Sequence, residues 1–239
     1  MNNRPLRAGV LAAGRGERLR IQASDLKPLA RVGDQRLIEH VLNSLGEAGA
    51  SEVVIIINEE SEAVRDHVLK SEWPFPLRWI VETTPTSMHS FLRLVETLAA
   101  DGQDGPFLLS TVDTVARPAA AADFIRHAQM QDDTAVALAL TEPGNDEKPL
   151  LVRLADDESR VAAFGEGQWA TAGLYAVRPV ILREAAAARR DRLDALRTFL
   201  GRLLERGYCV RGIPISRSID VDHPADLIEA EVFLRNVTS

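Results

Sequence analysis

Short aliphatic runs alternate with amphipathic stretches through the first half of the chain, the pattern of βαβ units in a mostly parallel sheet. Gly9 to Ala13 predicts the first strand. Asp34 then offers an N-cap to a helix whose apolar positions Leu37, Ile38, Val41, Leu42 and Leu45 share one face, with Gly46 and Gly49 near its end. Val53 to Ile57 is five consecutive aliphatics and predicts a strand buried on both faces. A polar helix over Glu59 to Lys70, a strand at Leu77 to Val81, and a helix striped by Met88, Phe91, Leu92, Val95 and Leu98 continue the alternation. Phe107 to Val112 predicts the next strand, followed by an Ala-rich helix after Pro118.

Beyond residue 134 the pattern changes. Thr134 to Leu140, Leu150 to Leu154 and Arg160 to Phe164 are strand-like but separated by turns, so antiparallel pairs are expected to extend the sheet. A strand at Ala172 to Val177, helices over Val180 to Ala188 and Leu193 to Arg206, a strand at Tyr208 to Pro214 and a helix from Pro224 to Asn236 complete the chain. There is no repeat, linker or composition shift, and the expectation is one α/β domain over residues 1–239, a three-layer αβα sandwich around a mostly parallel mixed sheet of Rossmann-like kind.

Composition narrows the function. With 239 residues, 46% of them apolar, the chain can bury a large core. No apolar run approaches the roughly 18 residues needed to span a bilayer, and Gly9 to Ala13 is too short for a signal peptide, so no membrane partner and a cytoplasmic location are expected. The lone Cys209 excludes an intrachain disulfide and a Cys-based zinc cage. A net charge of −7 argues against long nucleic acids as partners. The charge is uneven, however: residues 1–36 carry eight basic and three acidic side chains, a net of +5 that leaves −12 elsewhere, so a compact anion is expected at the N-terminal end.

Leu11-Ala12-Ala13-Gly14-Arg15-Gly16-Glu17-Arg18-Leu19 lies where the first strand runs out. Glycines there let backbone N–H groups meet an anion with no Cβ in the way. The spacing is not that of a P-loop, which needs Lys and Ser/Thr after its second glycine, nor that of the dinucleotide fingerprint, which needs a third small residue where this chain has Leu19. Lys27-Pro28 follows nine residues after Arg18, and the proline is expected to hold Lys27 in an extended backbone.

This signature, with Lys27-Pro28-Leu29, resembles the nucleotidyltransferase superfamily of MobA-like and sugar-1-phosphate nucleotidyltransferases, which have a GT-A-like fold. The resemblance implies that Leu11, Ala12, Ala13, Gly14, Arg15 and Gly16 wrap the nucleotide, that Arg18 grips the triphosphate, and that Lys27 neutralises charge at the reacting phosphates. It assigns residues 1–130 to nucleotide binding and 131–239 to the acceptor.

Asp113 ends a strand expected to be central, where ligands bind in open α/β sheets. A magnesium ion carried in with an NTP takes one or two protein carboxylates, and Ile219-Asp220-Val221-Asp222-His223-Pro224 holds the second candidate. Relatives of different kinds align that ligand with Asp220 or with Asp222, and the sequence leaves both open. Thr86 and Ser87 match, loosely, a small polar run beside the base, and either is equally an ordinary N-cap. Glu166, Thr171 and Gly173 match the acceptor segment, but Gly167 stands where the superfamily's Glu-Lys-Pro motif has lysine. A second Glu-Lys-Pro at Glu147-Lys148-Pro149 precedes a different strand and is taken as coincidence.

The expected activity is magnesium-dependent transfer of a nucleotidyl group from an NTP to a phosphorylated small molecule, most simply a sugar 1-phosphate, with release of pyrophosphate. The competing readings are a GT-A-type glycosyltransferase consuming a nucleotide sugar and a non-catalytic nucleotide-binding protein. A homo-oligomer is compatible with the sequence.

Overall fold

The computed structural model describes residues 5–14, 16, 19, 26–100, 102–129, 133–144, 148–155 and 159–236. Thirteen strands and seven α-helices follow one another as β1 (Leu6–Leu11), β2 (Arg31–Val32), β3 (Gln35–Arg36), α1 (Leu37–Glu47), β4 (Ala50–Ile57), α2 (Glu62–Val68), β5 (Leu77–Val81), α3 (Ser87–Ala99), β6 (Phe107–Thr111), β7 (Thr114–Ala116), α4 (Ala119–Gln129), β8 (Val136–Thr141), β9 (Leu151–Leu154), β10 (Val161–Phe164), β11 (Trp169–Val177), α5 (Ala185–Arg190), α6 (Leu196–Glu205), β12 (Val210–Pro214), β13 (Ser218–Asp220) and α7 (Pro224–Arg235).

Nine strands form one sheet in the order β10-β9-β11-β6-β1-β4-β5, with β8 joined to β11 and β12 joined to β8. The pairs β6–β1, β1–β4 and β4–β5 are parallel, and β11 enters antiparallel to both β6 and β8. The aliphatic run of β4 shows why both faces must be covered. Val54 and Ile56 pack with Phe91 of α3 and Phe199 of α6 on one side. Val53, Ile55 and Ile57 pack with Val41 of α1 and Phe124 of α4 on the other. The result is the three-layer sandwich read from the sequence.

Local departures have identifiable causes. Asp34 does not cap α1. It sits in the turn of a small β2–β3 hairpin, where its carbonyl accepts a bond from Arg31 Nη2 at 3.0 Å, and the helix starts only at Leu37. The turn chemistry of Gly33-Asp34 outcompetes the cap. Glu39 instead accepts from the Arg36 N–H at 2.6 Å. Lys27 is not extended either: Lys27–Leu29 is a 3₁₀ turn with proline second, where its missing N–H is harmless, and the extended residue is Leu26. The stretches 59–70 and 180–188 each open as 3₁₀ turns before becoming α2 and α5.

Two short ladders, β2–β3 and β7–β13, lie off the main sheet. Beside them a third apolar cluster, including Leu19, Val32, Val115, Ile219, Val221 and Phe233, ties the N-terminal segment to β7, β13 and α7.

Candidate active site

The parallel strands β1 and β6 end side by side, and the residues that follow them lie at one end of the sheet. After β6 the chain turns through Val112-Asp113 into β7. The Asp113 carbonyl accepts from the Val221 N–H at 3.0 Å, and Thr114 pairs with Asp220 in the β7–β13 ladder. A segment more than a hundred residues away is thereby fastened to the end of β6. Asp226 in the first turn of α7 accepts from the N–H groups of Asp222 (2.9 Å) and His223 (2.7 Å), which fixes the Asp222 backbone.

Lys27 joins the two carboxylates. Its ammonium lies 2.8 Å from Asp113 Oδ2 and 2.6 Å from Asp222 Oδ1, and the residue is only 8% exposed. Burial pushes a lysine down, but here the charge and hydrogen bond of Asp113, then those of Asp222, hold the ammonium well above its ordinary range. Gly16 makes the approach feasible, because a Cβ there would lie 2.4 Å from Lys27 Cβ. The close packing of the first loop on Lys27 is therefore built into the glycine.

Asp113 and Asp222 both line a cleft of about 660 Å³, together with Asp220, Ser87, Thr171 and Gly173. Among the described residues no three of His, Cys, Asp and Glu are grouped as a metal cage. The donor set is a pair of carboxylates spaced to share one cation, which fits the hard-oxygen demand of magnesium when phosphate oxygens and water complete the octahedron. Asp220 is exposed at the cleft and does not contact Lys27 in this arrangement; Asp222 does.

The other expected site residues divide sharply. Leu11, Ala12, Ala13 and Gly14 run out from β1. The Ala13 carbonyl is held by Asn58 Nδ2 at 3.2 Å. Asn58 is buried after β4 and also accepts from Glu60 N–H and Ser61 Oγ. Sequence reasoning missed it, although a polar residue directly after a five-residue aliphatic strand was a visible signal. Arg15 and Arg18 lie outside the described residues.

Neither Thr86 nor Ser87 caps α3 with its side chain. Thr86 Oγ1 bonds His89 Nδ1 at 2.9 Å, and Ser87 Oγ accepts from the Leu196 N–H at 3.1 Å, stitching the starts of α3 and α6 together at the cleft. Gly173 sits at φ +63°, where a Cβ would fall 2.0 Å from Thr114 Oγ1 and 2.4 Å from Thr111 Oγ1. Tyr175, two residues on, lines the cleft; burial first, then the charges of Asp113 and Asp220, push its phenol up, against a smaller pull from Arg197.

Glu166 stands apart from the other residues matched to the acceptor segment. It is 62% exposed, pairs with Arg153 Nε at 2.8 Å and is not part of the cleft wall. The following residue explains the missing lysine: Gly167 has φ +123°, and a Cβ there would lie 2.1 Å from the Val152 carbonyl oxygen. This tight crossing of β9 leaves no room for any side chain. Lys148, set aside as coincidence, does line the cleft.

Residues 8–207 match the MobA-like NTP transferase domain. The chain belongs to that family. Among curated relatives, this MobA-like chain is 32% identical over 213 residues to CMP-5'-(3-aminopropyl)phosphonate synthase of Streptomyces rubellomurinus, covering 85% of this chain and 32% of that one. It is 28% identical over 187 residues to a probable mannose-1-phosphate guanylyltransferase of Oryza sativa subsp. japonica, covering 74% of this chain and 51% of the relative. The chain thus spans about a third of the first of these relatives and about half of the second. In fold it is similar to the inositol-1-phosphate CTP transferase from T. maritima, with TM-score 0.77, 19% identity and 95% coverage of both chains. A putative glucose-1-phosphate thymidylyltransferase from Bacillus anthracis gives TM-score 0.82 at 16% identity, covering 98% of this chain and 97% of that one. No helix among the described residues is long and apolar enough to cross a membrane.

Proposed function

We propose that this MobA-like domain transfers a nucleotidyl group from an NTP to a small molecule bearing a phosphate or phosphonate, in a magnesium-dependent reaction that releases pyrophosphate. The observation that carries the reading is the Asp113–Lys27–Asp222 bridge at the cleft. An oxygen of the acceptor's phosphoryl group attacks the α-phosphorus in line, the new P–O bond forms as the α–β bridging bond breaks, and pyrophosphate leaves with the electron pair.

Within this scheme Lys27 is buried and held protonated, so it presents a fixed positive charge to the reacting phosphates with little reorganisation. Asp113 and Asp222 orient it and are the residues that would hold magnesium, whose role when bound is to draw charge from the phosphate oxygens and align them. The loop amides of residues 11–16 wrap the nucleotide, and Arg18 adds a cation to the triphosphate. Thr171 and Gly173 line the side of the cleft assigned to the acceptor, and Ser87 the side assigned to the base. The relatives' names span cytidylyl, guanylyl and thymidylyl transfer and both phosphate and phosphonate acceptors. The base is therefore an open choice among pyrimidine and purine NTPs.

The test is pyrophosphate release with ATP, CTP, GTP, UTP and dTTP in turn, plus magnesium and a panel including mannose 1-phosphate, inositol 1-phosphate and 3-aminopropylphosphonate. Acceptor-dependent release from at least one NTP is expected. Consumption of a nucleotide sugar in place of an NTP, or NTP binding with no release across the panel, overturns the proposal.

A further inference from the structure

With Gly167 unable to carry a side chain and Glu166 turned outward, the β10–β11 connection supplies no cation to the acceptor end of the cleft. Among the described residues lining that cleft, the lysine and arginine side chains are Lys148, Arg197 and Arg217. Arg217 belongs to the β12–β13 connection, where it is held on α7 by Glu229. Lys148 and Arg197 come from different elements, the β8–β9 connection and the first turn of α6, and they are fastened together: Arg197 Nη2 donates to the Lys148 carbonyl at 3.1 Å. That bond engages one of the five guanidinium donors. The first turn of α6 is itself anchored, through the Leu196 N–H on Ser87 Oγ. The pair therefore sits on a supported frame.

A second observation points to a ligand in the same place. Thr141, at the end of β8, is 8% exposed and lines the cleft, yet its Oγ1 is buried without a hydrogen-bond partner among the described residues. An orphaned buried hydroxyl in a wall that also carries two cations is what a tetrahedral oxyanion would satisfy.

We propose that Arg197 and Lys148, with the Thr141 hydroxyl, form the subsite that grips the phosphoryl or phosphonyl group of the acceptor. The proposal rests on the nucleotidyl-transfer reading above and names the residues that select its second substrate. Glu142, next to Thr141 and also on the cleft wall, supplies an acceptor for hydroxyl or ammonium donors on the remainder of that molecule. A neutral sugar or alcohol engages neither cation and is excluded on charge.

The test uses the full chain with Arg197→Ala, Arg197→Gln and Lys148→Met, assayed with the NTP that turns over and with mannose 1-phosphate and 3-aminopropylphosphonate as separate acceptors, which distinguishes an ester phosphate from a phosphonate. Glutamine keeps a donor for the Lys148 carbonyl while removing the charge, so it guards against simple loss of structure. Each variant is expected to raise acceptor KM roughly 10- to 100-fold, the effect of losing a hydrogen bond to a charged group, with NTP KM changed less than about 2-fold. Unchanged acceptor KM, or an equal rise in NTP KM, overturns the assignment while leaving nucleotidyl transfer intact. If the wild-type chain turns over neither acceptor, titration with inorganic phosphate followed by 31P line broadening decides. Broadening by wild type that Arg197→Gln abolishes supports the subsite, and equal broadening or none in both overturns it.

Discussion

Replacing Lys27 with methionine keeps the buried stem and removes the ammonium that bridges Asp113 and Asp222. The two bonds lost, at 2.8 and 2.6 Å, are both charge-assisted. The carboxylates are 27% and 32% exposed and regain water when the lysine leaves, so each bond is placed at the low end of its range, about 1.5 kcal/mol, and the pair at about 3 kcal/mol. For a chain of 239 residues, that corresponds to a fall in Tm of roughly 6–12 °C. The catalytic effect has the same scale but a different origin. Loss of one preorganised cation at the reacting phosphates raises the barrier by about 3–4 kcal/mol, or ~10² to 10³ in turnover. Differential scanning calorimetry reads the first quantity, and pyrophosphate release well below the variant's Tm reads the second. A further signature separates the bridge from a generic core defect. With the ammonium gone, two facing carboxylates are left to repel, so magnesium should raise the Tm of Lys27→Met more than that of wild type. A variant that melts within about 2 °C of wild type and turns over within about threefold of it refutes the bridge as both a structural and a catalytic unit.

Four other outcomes follow from the same structure. Asp222→Asn should lower turnover by ~10² or more, while Asp220→Asn, which leaves the Lys27 bridge intact, should lose less than about tenfold; equal losses would refute the choice of Asp222. EDTA should abolish turnover, with magnesium restoring it. The Glu39 carboxyl is pushed up by burial but pulled further down by hydrogen bonds from the Arg36 N–H and His67, so its folded pKa lies below the ordinary 4.5. Its stabilisation is therefore fully present above pH 4.5 and is lost as pH falls through the lowered value; urea titrations should show Glu39→Gln with a flatter acid limb, and superimposable limbs would contradict this. Gly173→Ala forces a Cβ to within 2.0 Å of Thr114 Oγ1 at φ +63°, and should lose several kcal/mol of stability by urea unfolding, of which about 1–2 is backbone strain; a loss below about 1 kcal/mol would mean that β11 relaxes around it.

What the chain's pattern revealed, and what it hid, divides along one physical line. Periodicity is set by which face a residue buries, so the nine-stranded sheet and its two helical layers were legible: Val53 to Ile57 could only be a strand covered on both sides, and Leu37, Ile38, Val41, Leu42 and Leu45 could only face a core. Asp113 was legible for a related reason, since a carboxylate at the end of a central strand has a fixed destination. The choice between Asp220 and Asp222 was not, because it depends on where the three-residue strand β13 stops: Asp220 is its last residue, opposite Thr114, and Asp222 lies just beyond it and turns to Lys27. A strand that short carries no hydrophobic pattern strong enough to fix its register or its end. The acceptor side failed for a different reason: motif matching assumes that a side chain can stand where the motif puts it, and at Gly167 a Cβ would lie 2.1 Å from the Val152 carbonyl oxygen. A tertiary approach of that kind leaves only a glycine in the sequence, and the cations proposed to compensate for it, Lys148 and Arg197, lie about 50 residues apart on elements that meet only in the fold. On that proposal substrate choice depends on long-range contacts, whereas the signature that resembles a nucleotide cradle, residues 11–27, is one local stretch of sequence.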